Sequence, residues 1–393
     1  MKSLKVLLLH ILISCASQGI HAVESMPIIA YLGIPFNKST DQNFKDFSDC
    51  GFNISLYGYE SLPQLVNACN VAQKYGVRIL GHCPETHANP SHAAKILKHN
   101  KGFFGYFIQD EPSAPDMIAG ENEIRILKSV DTSHCFYINL HPYYDTWTLD
   151  ATKTKTYSEY LEQASRMSCQ QISFDYYPIT KDGIRDGWYN NLEQIRKICK
   201  SSGKPMWGFV LSVPHAMYPQ PNMASLRLQV YSNLSYGAQA IQYFTYWTPP
   251  GEKPNDYHNG PITHDGKKTK TYYLVKRMNK ELRSLSPIFL GAEITSVNHI
   301  GGKLPKGTKK LSRLPKGLSS FKIISKKGAV VSQFRNGGNL YMCVVNKDYE
   351  KSLTLCISAR NKKTVEIQKD LTESPLQSRY EIQPGDIRIF KLQ

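Results

Sequence analysis

Two adjacent acids, Asp110 and Glu111, end an apolar run in the first third of the chain, and Pro112 follows them. The run Phe103–Ile108 is typical of a β-strand, and the proline ends it because proline has no backbone N–H to donate. Neighbouring carboxyl groups suit acid–base chemistry, since their mutual repulsion favours one protonated and one charged group. The plainer interpretations are an exposed turn acid for Glu111 and a helix cap for Asp110. Catalysis by this pair requires partners elsewhere in the chain.

Other strand-like runs end in side chains of the kind that bind sugars. Aromatic rings pack on the apolar faces of sugar rings, while amides, imidazoles and carboxylates bind hydroxyl groups. A third acid, Asp175, ends a later run and is a candidate base or nucleophile, with hydrogen bonding to nearby hydroxyls as its structural alternative. The candidate substrate-binding residues are Tyr57, His82, Asn139, His141, Tyr177, Tyr246 and Trp247.

The segment 82–87 carries two histidines but lacks the spacing of a metal site. Pro84 lies between His82 and His87, so the two rings do not share one helical turn, and no distant pair of ligands is evident. We therefore expect no metal site and no cofactor.

The elements that must position these residues alternate regularly. Segments such as Ser61–Tyr75, Tyr189–Ser201 and Met223–Tyr236 have helical periodicity and are followed by glycine. Strands separated by such helices predict a parallel sheet, and eight units in about 250 residues predict a (β/α)8 TIM barrel over 26–286. The competing open sheet usually carries a glycine-rich phosphate loop, which the chain lacks after its first strand. The predicted strands are Pro27–Phe36, Phe52–Tyr59, Val77–Cys83, Phe103–Glu111, His134–His141, Gln170–Ile179, Pro205–Ser212 and Ala238–Trp247.

Beyond a predicted closing helix at Lys267–Leu285, short alternating runs replace the strand–helix pattern. Turn signals such as Asn336-Gly337-Gly338 separate these runs. The segment 287–393 is therefore predicted to form a small all-β sandwich domain.

The first 25 residues have the pattern of an export signal. Lys2 and Lys5 precede a short apolar stretch, Val6–Ile13, that is too short to span a bilayer. Leu12-Ile13-Ser14-Cys15 resembles a bacterial lipobox, which predicts a lipoprotein anchored in the outer membrane through Cys15. The protein is then expected in the periplasm or at the cell surface. Ordinary cleavage near Ala16 or Ala22 is the alternative.

The net charge of +16 is concentrated in the C-terminal part of the chain. Residues 294–347 contain no acid but many lysines. A basic face can bind nucleic acid, an acidic glycan or an anionic surface. Export argues against nucleic acid, so we interpret this stretch as a solvated face and expect a carbohydrate as the partner.

The acids and the eighth strand resemble those of (β/α)8 glycoside hydrolases of clan A, which include the family 42 β-galactosidases. Asp110-Glu111-Pro112 is similar to the Asn-Glu-Pro that ends their strand 4, where the Glu is the general acid/base. Gly237–Trp247 resembles their strand 8, and Asp265–Tyr272 resembles the segment before their last helix. The likeness spans residues 27–285 and is sharpest in strands 4 and 8. It implies a glycoside hydrolase in which Glu111 protonates the leaving oxygen.

One departure from that family is large. Its nucleophile is a second Glu at the end of strand 7, whereas this chain has no Asp or Glu between Gln194 and Gly251. Three interpretations remain open: Asp110 orients a substrate acetamide that acts as nucleophile, Asp175 is the base or nucleophile, or the site binds glycans without catalysis. The sequence therefore predicts an exported glycoside hydrolase acting on an oligo- or polysaccharide, with a non-catalytic surface glycan-binding protein as the alternative.

Overall fold

Eight parallel strands form a barrel in the structure, a computed structural model that describes residues 25–393. They follow one another around the barrel in chain order except where β1 pairs with β8. The barrel closes where the Leu140 N–H donates to the Ser173 carbonyl at 2.9 Å, which joins the ends of β5 and β6. The predicted (β/α)8 barrel is confirmed. The strands are β1 Ile28–Tyr31, β2 Ile54–Gly58, β3 Arg78–His82, β4 Phe103–Asp110, β5 Cys135–Asn139, β6 Ile172–Phe174, β7 Met206–Leu211 and β8 Ala238–Phe244.

Helices follow the strands and cover the barrel from outside. Two short helices follow β3 and two more follow β5, while the other connections carry one main helix each; a small hairpin, 179–184, is inserted after β6. The helices begin and end close to the predicted limits because caps and glycines mark them. They are α1 Asp41–Asp49, α2 Leu62–Ala72, α3 Pro84–Ala88, α4 Pro90–Leu97, α5 Ala114–Lys128, α6 Trp147–Thr152, α7 Tyr157–Arg166, α8 Trp188–Ser202, α9 Met223–Ser235 and α10 Lys270–Phe289.

Side chains that alternate along the strands fill the barrel. One set packs inside the barrel and the intervening set packs against the helices, as the period of two requires. The interior is therefore a packed core, and open space for a ligand can lie only above it, at the carboxyl ends of the strands. The buried interior residues are Ile29, Ile54, Leu56, Leu80, Phe107, Tyr137, Trp207 and Ala240.

The C-terminal part consists of two antiparallel sheets packed face to face, so the predicted sandwich is also confirmed. The six-stranded sheet has the order β9-β11-β12-β17-β14-β15, and the three-stranded sheet has the order β10-β13-β16. Val331 and Met342 face the second sheet, whereas their neighbours Val330 and Cys343 pack on the barrel. The strands are β9 Glu293–Ile300, β10 Leu318–Ile324, β11 Ala329–Asn336, β12 Asn339–Asn346, β13 Leu353–Ala359, β14 Val365–Ile367, β15 Glu373–Pro375, β16 Arg379–Ile382 and β17 Ile387–Leu392.

A half-buried charge cluster joins the barrel to the sandwich. Glu281 on α10 accepts hydrogen bonds from Tyr231 on α9 and from Lys369 of the sandwich, both at 2.7 Å. Arg227 bridges Glu281 and Asp386, and these contacts lower the pKa of Glu281 to about 2 against the opposing effect of burial. Helix α10 ends at Phe289, three residues past the predicted domain boundary.

Two further observations concern the described residues. Within residues 25–393 no helix is both long and apolar enough to cross a bilayer, and no three His, Cys, Asp or Glu side chains are placed to hold a metal ion. The predicted leader and Cys15 lie outside the described part of the chain.

Candidate active site

Three carboxyl groups meet at the mouth of the barrel. Asp110 ends β4, Glu111 follows it, and Asp175 follows β6. Asn139 ends β5, the strand between them, and its Nδ2 donates to Oδ1 of Asp175 at 2.9 Å. The carboxyl ends of adjacent parallel strands thus bring together the three acids that the sequence singled out.

A tyrosine of β1 holds Asp110 from the opposite side of the mouth. The Tyr31 hydroxyl donates to Oδ2 of Asp110 at 2.6 Å. Burial, followed by the negative charge of Asp110, raises the pKa of Tyr31 well above its usual value, so this hydroxyl keeps its proton and remains a donor. Tyr31 therefore fixes the orientation of the Asp110 carboxylate.

The cluster favours retention of protons. Burial raises the pKa of Asp175 well above its usual value, and the charges of Glu111 and Asp110 add to the effect, although hydrogen bonds from Asn139 and Tyr177 act in the opposite direction. Burial also raises the pKa of Asp110. Asp175 is half-buried and Asp110 is the more exposed of the two, so the effect of burial on the pKa is greater at Asp175. The protonated forms of Asp175 and Asp110 are therefore favoured relative to a free aspartate.

Glu111 adopts an uncommon backbone conformation. Its φ is +45°, in the left-handed region, which costs a residue other than glycine roughly 1–2 kcal/mol. Its N–H donates to the Asn139 carbonyl at 2.8 Å, and its side chain is 38% exposed toward the mouth. Backbone strain of this kind clusters at functional sites.

His141 lies beside Glu111. Its Nδ1 is 3.5 Å from Oε1 of Glu111, longer than a normal hydrogen bond, and it has no hydrogen-bond partner among the described residues although it is buried. A buried ring nitrogen without a partner is costly, and a ligand hydroxyl would satisfy it.

His82 is held on the inner face of β3. His87 Nε2 is 3.3 Å from His82 Nδ1, and His87 Nδ1 is 2.9 Å from Oε1 of Glu123. The His82 ring stands edge-on to Phe107 at 5.2 Å between centroids. Gly58 makes room for it, because a Cβ there would lie 2.8 Å from His82 Nε2. His87 and Phe107 therefore set the orientation of the His82 imidazole.

An aromatic and aliphatic wall faces the acids across the mouth. Phe209 and Leu211 of β7 pack there with Tyr177, and the Phe244 ring lies 5.6 Å from Tyr177 and 5.8 Å from Tyr31. Polar groups on one side and ring faces on the other suit a sugar, whose hydroxyls and C–H faces differ in the same way.

A chain of buried hydrogen bonds supports the acids from within the barrel. Tyr137 donates to Gln242 Oε1 at 2.8 Å, Gln242 Nε2 donates to Ser173 Oγ at 2.8 Å, and Ser173 donates to Asn139 Oδ1 at 2.9 Å. Because Gln242 donates to Ser173, the serine proton points at Asn139, and the Asn139 amide must present its NH₂ to Asp175. The interior of the barrel thereby fixes the direction of a hydrogen bond at the mouth.

The Ser173→Ala variant tests this series of hydrogen bonds through the free energy of unfolding. The substitution leaves Gln242 Nε2 and Asn139 Oδ1 without partners in a buried environment, so we expect a loss of about 1–3 kcal/mol in the free energy of unfolding, measured with urea. Ser232 is equally buried, and its hydroxyl has one long contact, 3.4 Å to Tyr189. Ser232→Ala should therefore cost distinctly less, and equal losses for the two variants would contradict the role given to Ser173.

The structure does not bring three of the candidate residues to this mouth. Tyr57 follows the inward-facing Leu56 and packs in the outer cluster of side chains. Tyr246 is 1% exposed, with its ring 4.8 Å from Phe47 of α1. Trp247 is 5% exposed, and its Nε1 donates to the His264 carbonyl at 3.2 Å. These residues support the barrel, and Phe244 takes the place at the wall that the sequence assigned to Tyr246 and Trp247.

Several residues of the mouth were missed from the sequence. Tyr31 was missed because the first strand was predicted to end at Phe36, whereas the chain turns at Leu32, whose φ is +47°. Strict alternation from Ile29 inward would have found Tyr31. For Gln242 the only signal was a polar side chain between apolar neighbours in β8.

A surface cavity of about 270 Å³ between α5 and α7 is the alternative location for a site. Its acid, Glu121, already accepts hydrogen bonds from the Ser168 backbone and hydroxyl, both at 2.7 Å. The barrel mouth is therefore the candidate active site.

Solved structures share this fold, although no protein-family model and no curated protein matches the sequence. The β-galactosidase of Bacillus circulans sp. alkalophilus matches 94% of this chain and 99% of its own, with TM-score 0.64 and 9% identity. A family 42 β-galactosidase from G. stearothermophilus matches 89% of this chain and 95% of its own, with TM-score 0.63 and 9% identity. A family 5 glycoside hydrolase from Bacteroides vulgatus matches 93% of this chain and 88% of its own, with TM-score 0.59 and 11% identity.

Coverage is lower for other proteins of this fold. The chain spans 60% of the length of the β-galactosidase from Marinomonas ef1, with TM-score 0.52 and 10% identity. The barrel with appended β-sheets is thus a fold of glycoside hydrolases, and identities near 10% establish the fold alone.

Proposed function

We propose that this protein hydrolyses glycosidic bonds of an oligo- or polysaccharide, with Glu111 as general acid and Asp175 as second carboxylate. The observation that carries the proposal is the group of three acids at the barrel mouth, facing a wall of aromatic rings. The glycosidase fold supports it, because catalytic residues of such barrels lie at the carboxyl ends of the strands.

We favour Asp175 over Asp110 as the carboxylate that acts opposite Glu111. Asp110 is the chain neighbour of Glu111, and Tyr31 already occupies its Oδ2. Asp175 lies two strands further around the barrel, and two strand spacings of about 4.8 Å correspond to about 10 Å between the backbones, which would leave room for a sugar ring. Separations of about 5–9.5 Å between carboxyl groups serve retaining and inverting hydrolysis. Asp110 remains the second carboxylate for a substrate whose own acetamide is the nucleophile.

The reaction requires only these groups and water. Glu111 gives its proton to the glycosidic oxygen as the bond to the anomeric carbon breaks, and the leaving sugar departs as an alcohol. The charged Asp175 either takes a proton from the attacking water or attacks the carbon itself before water releases the sugar. Asn139, His141, His82 and Tyr177 would bind hydroxyl groups, while Phe244 and Tyr31 would pack against the ring.

Turnover of a panel of 4-nitrophenyl glycosides and oligosaccharides tests the proposal, with β-galactosides first because several similar structures are named β-galactosidases. The rival function is glycan binding without catalysis, which is favoured by the apolar end of β7, where Leu211 packs in the wall. Absence of turnover for every glycan that the protein binds in calorimetry would support the rival.

We also propose export and lipid anchoring through Cys15. Cys15→Ala should move the protein from the outer-membrane fraction to the soluble fraction, as measured by fractionation and immunoblotting. Equal membrane retention of the variant and the wild type would contradict the anchor.

A further inference from the structure

An exposed tryptophan, Trp147, lies beside His141, the neighbour of Glu111. Trp147 is 46% exposed, at the end of the segment that follows β5. Its ring stands perpendicular to the His141 ring at 6.1 Å and nearly parallel to Tyr144 at 6.4 Å. Exposed tryptophan is uncommon at a surface without a partner, because burial of so large a ring is strongly favourable.

The segment that carries Trp147 is firmly attached. The Tyr157 hydroxyl donates to the His141 carbonyl at 2.7 Å, and the His141 N–H donates to the Tyr160 hydroxyl at 3.2 Å. The Tyr143 N–H donates to Oδ1 of Asn191 at 2.8 Å. Together with the Trp147 N–H, which donates to Oδ1 of Asp145 at 2.8 Å, these bonds hold the backbone from which the indole ring projects, and a stacking surface needs such support.

The contacts run outward from the proposed acid. One residue, His141, connects Trp147 to Glu111, whereas two residues, Tyr144 and Tyr177, connect Trp147 to Asp175. A general acid protonates the oxygen of the leaving group, so the leaving group must lie on the Glu111 side of the broken bond.

We propose that Trp147 is the stacking platform for the sugar on the leaving side of the cleaved bond, and that the substrate is an oligosaccharide or polysaccharide with a sugar at that position. This inference rests on the proposed hydrolase function. The apolar face of a sugar ring would cover the exposed indole while its hydroxyls remain in water.

A comparison of two substrates distinguishes an effect on binding of the leaving sugar from an effect on the reacting groups. β-1,4-galactobiose has a sugar as leaving group, and β-galactosyl fluoride has none; the matching pair replaces them if the panel identifies another sugar. For Trp147→Ala we expect the ratio of kcat/KM for the disaccharide to kcat/KM for the fluoride to fall about 10- to 100-fold. Trp147→Phe, which keeps a ring, should recover most of that ratio.

Tyr273→Ala is the control, because Tyr273 is 62% exposed on α10 and takes no part in the site. It should leave both rates unchanged. If the wild type turns over both substrates and Trp147→Ala keeps the wild-type ratio, the platform is disproved and the hydrolase stands. If the wild type turns over no member of the panel, the proposed hydrolase fails and the platform fails with it.

Discussion

Glu111→Gln should lower kcat/KM by about 1,000-fold for a glycoside with a sugar leaving group, and by less than about 10-fold for one with 2,4-dinitrophenolate. A sugar alkoxide leaves only if it is protonated, and glutamine cannot supply that proton. Dinitrophenolate is stable without a proton, so its departure does not depend on the acid. The difference between the two leaving groups, measured with purified protein, identifies the proton donor.

The control for this variant is Glu60→Gln. Glu60 follows β2 at the same end of the barrel, is exposed, and contacts Gln64 rather than the three acids. It should keep wild-type rates with both substrates. A fully active Glu111→Gln would remove Glu111 from the mechanism, and an equal loss with both leaving groups would make it the base or nucleophile instead.

The architecture followed from the sequence because several local signals agreed. Apolar runs of strand length alternated with helical segments that end at Gly76, Gly203 and Gly237, and all three glycines have positive φ. Strand limits were less accurate, because apolar residues continue past the hydrogen-bonded part. Leu32, Ile34 and Phe36 follow β1 in the sequence, but the chain has already turned away from the barrel.

The sequence predicted only in part which side chains point into the barrel and which point outward. In β4 the register shifts between Phe107 and Gln109, so Gln109 points outward to α5 and Asp110 points into the mouth. The residue types of β4 do not predict this register shift, because it depends on the pairing of β4 with β5. Tyr246 lies beyond the end of β8, where alternation no longer applies, and tertiary packing against Phe47 and Phe52 buries it.

Asp175→Asn should abolish turnover with either leaving group and at the same time stabilise the fold at neutral pH. Burial and the charges of Glu111 and Asp110 raise the pKa of Asp175 well above its usual value. The folded protein therefore keeps a proton that the unfolded chain releases near pH 3.9, about the usual value for aspartate. Wild-type stability must then fall as pH rises from there through the folded-state pKa. An asparagine amide still accepts from Asn139 and has no such proton to lose.

Urea unfolding at pH 4 to 8 measures this effect. The free energy of unfolding of Asp175→Asn, relative to the wild type, should increase by up to about 1.4 kcal/mol per pH unit until the folded-state pKa is reached. Asp186→Asn is the control, because Asp186 is 90% exposed in its pair with Lys303 and should show no such increase. A difference that does not change with pH would show that Asp175 is charged throughout.

The same proton links stability to catalysis. As a base or nucleophile Asp175 acts only after it has lost the proton, so wild-type kcat/KM should rise over the pH range in which wild-type stability falls. If kcat/KM instead does not rise over that range and falls above it, Asp175 is the acid, and Glu111 takes the other role. The two pH profiles together therefore assign both carboxyl groups, because the charge of Asp175 that destabilises the barrel mouth is the one that attack on the anomeric carbon requires.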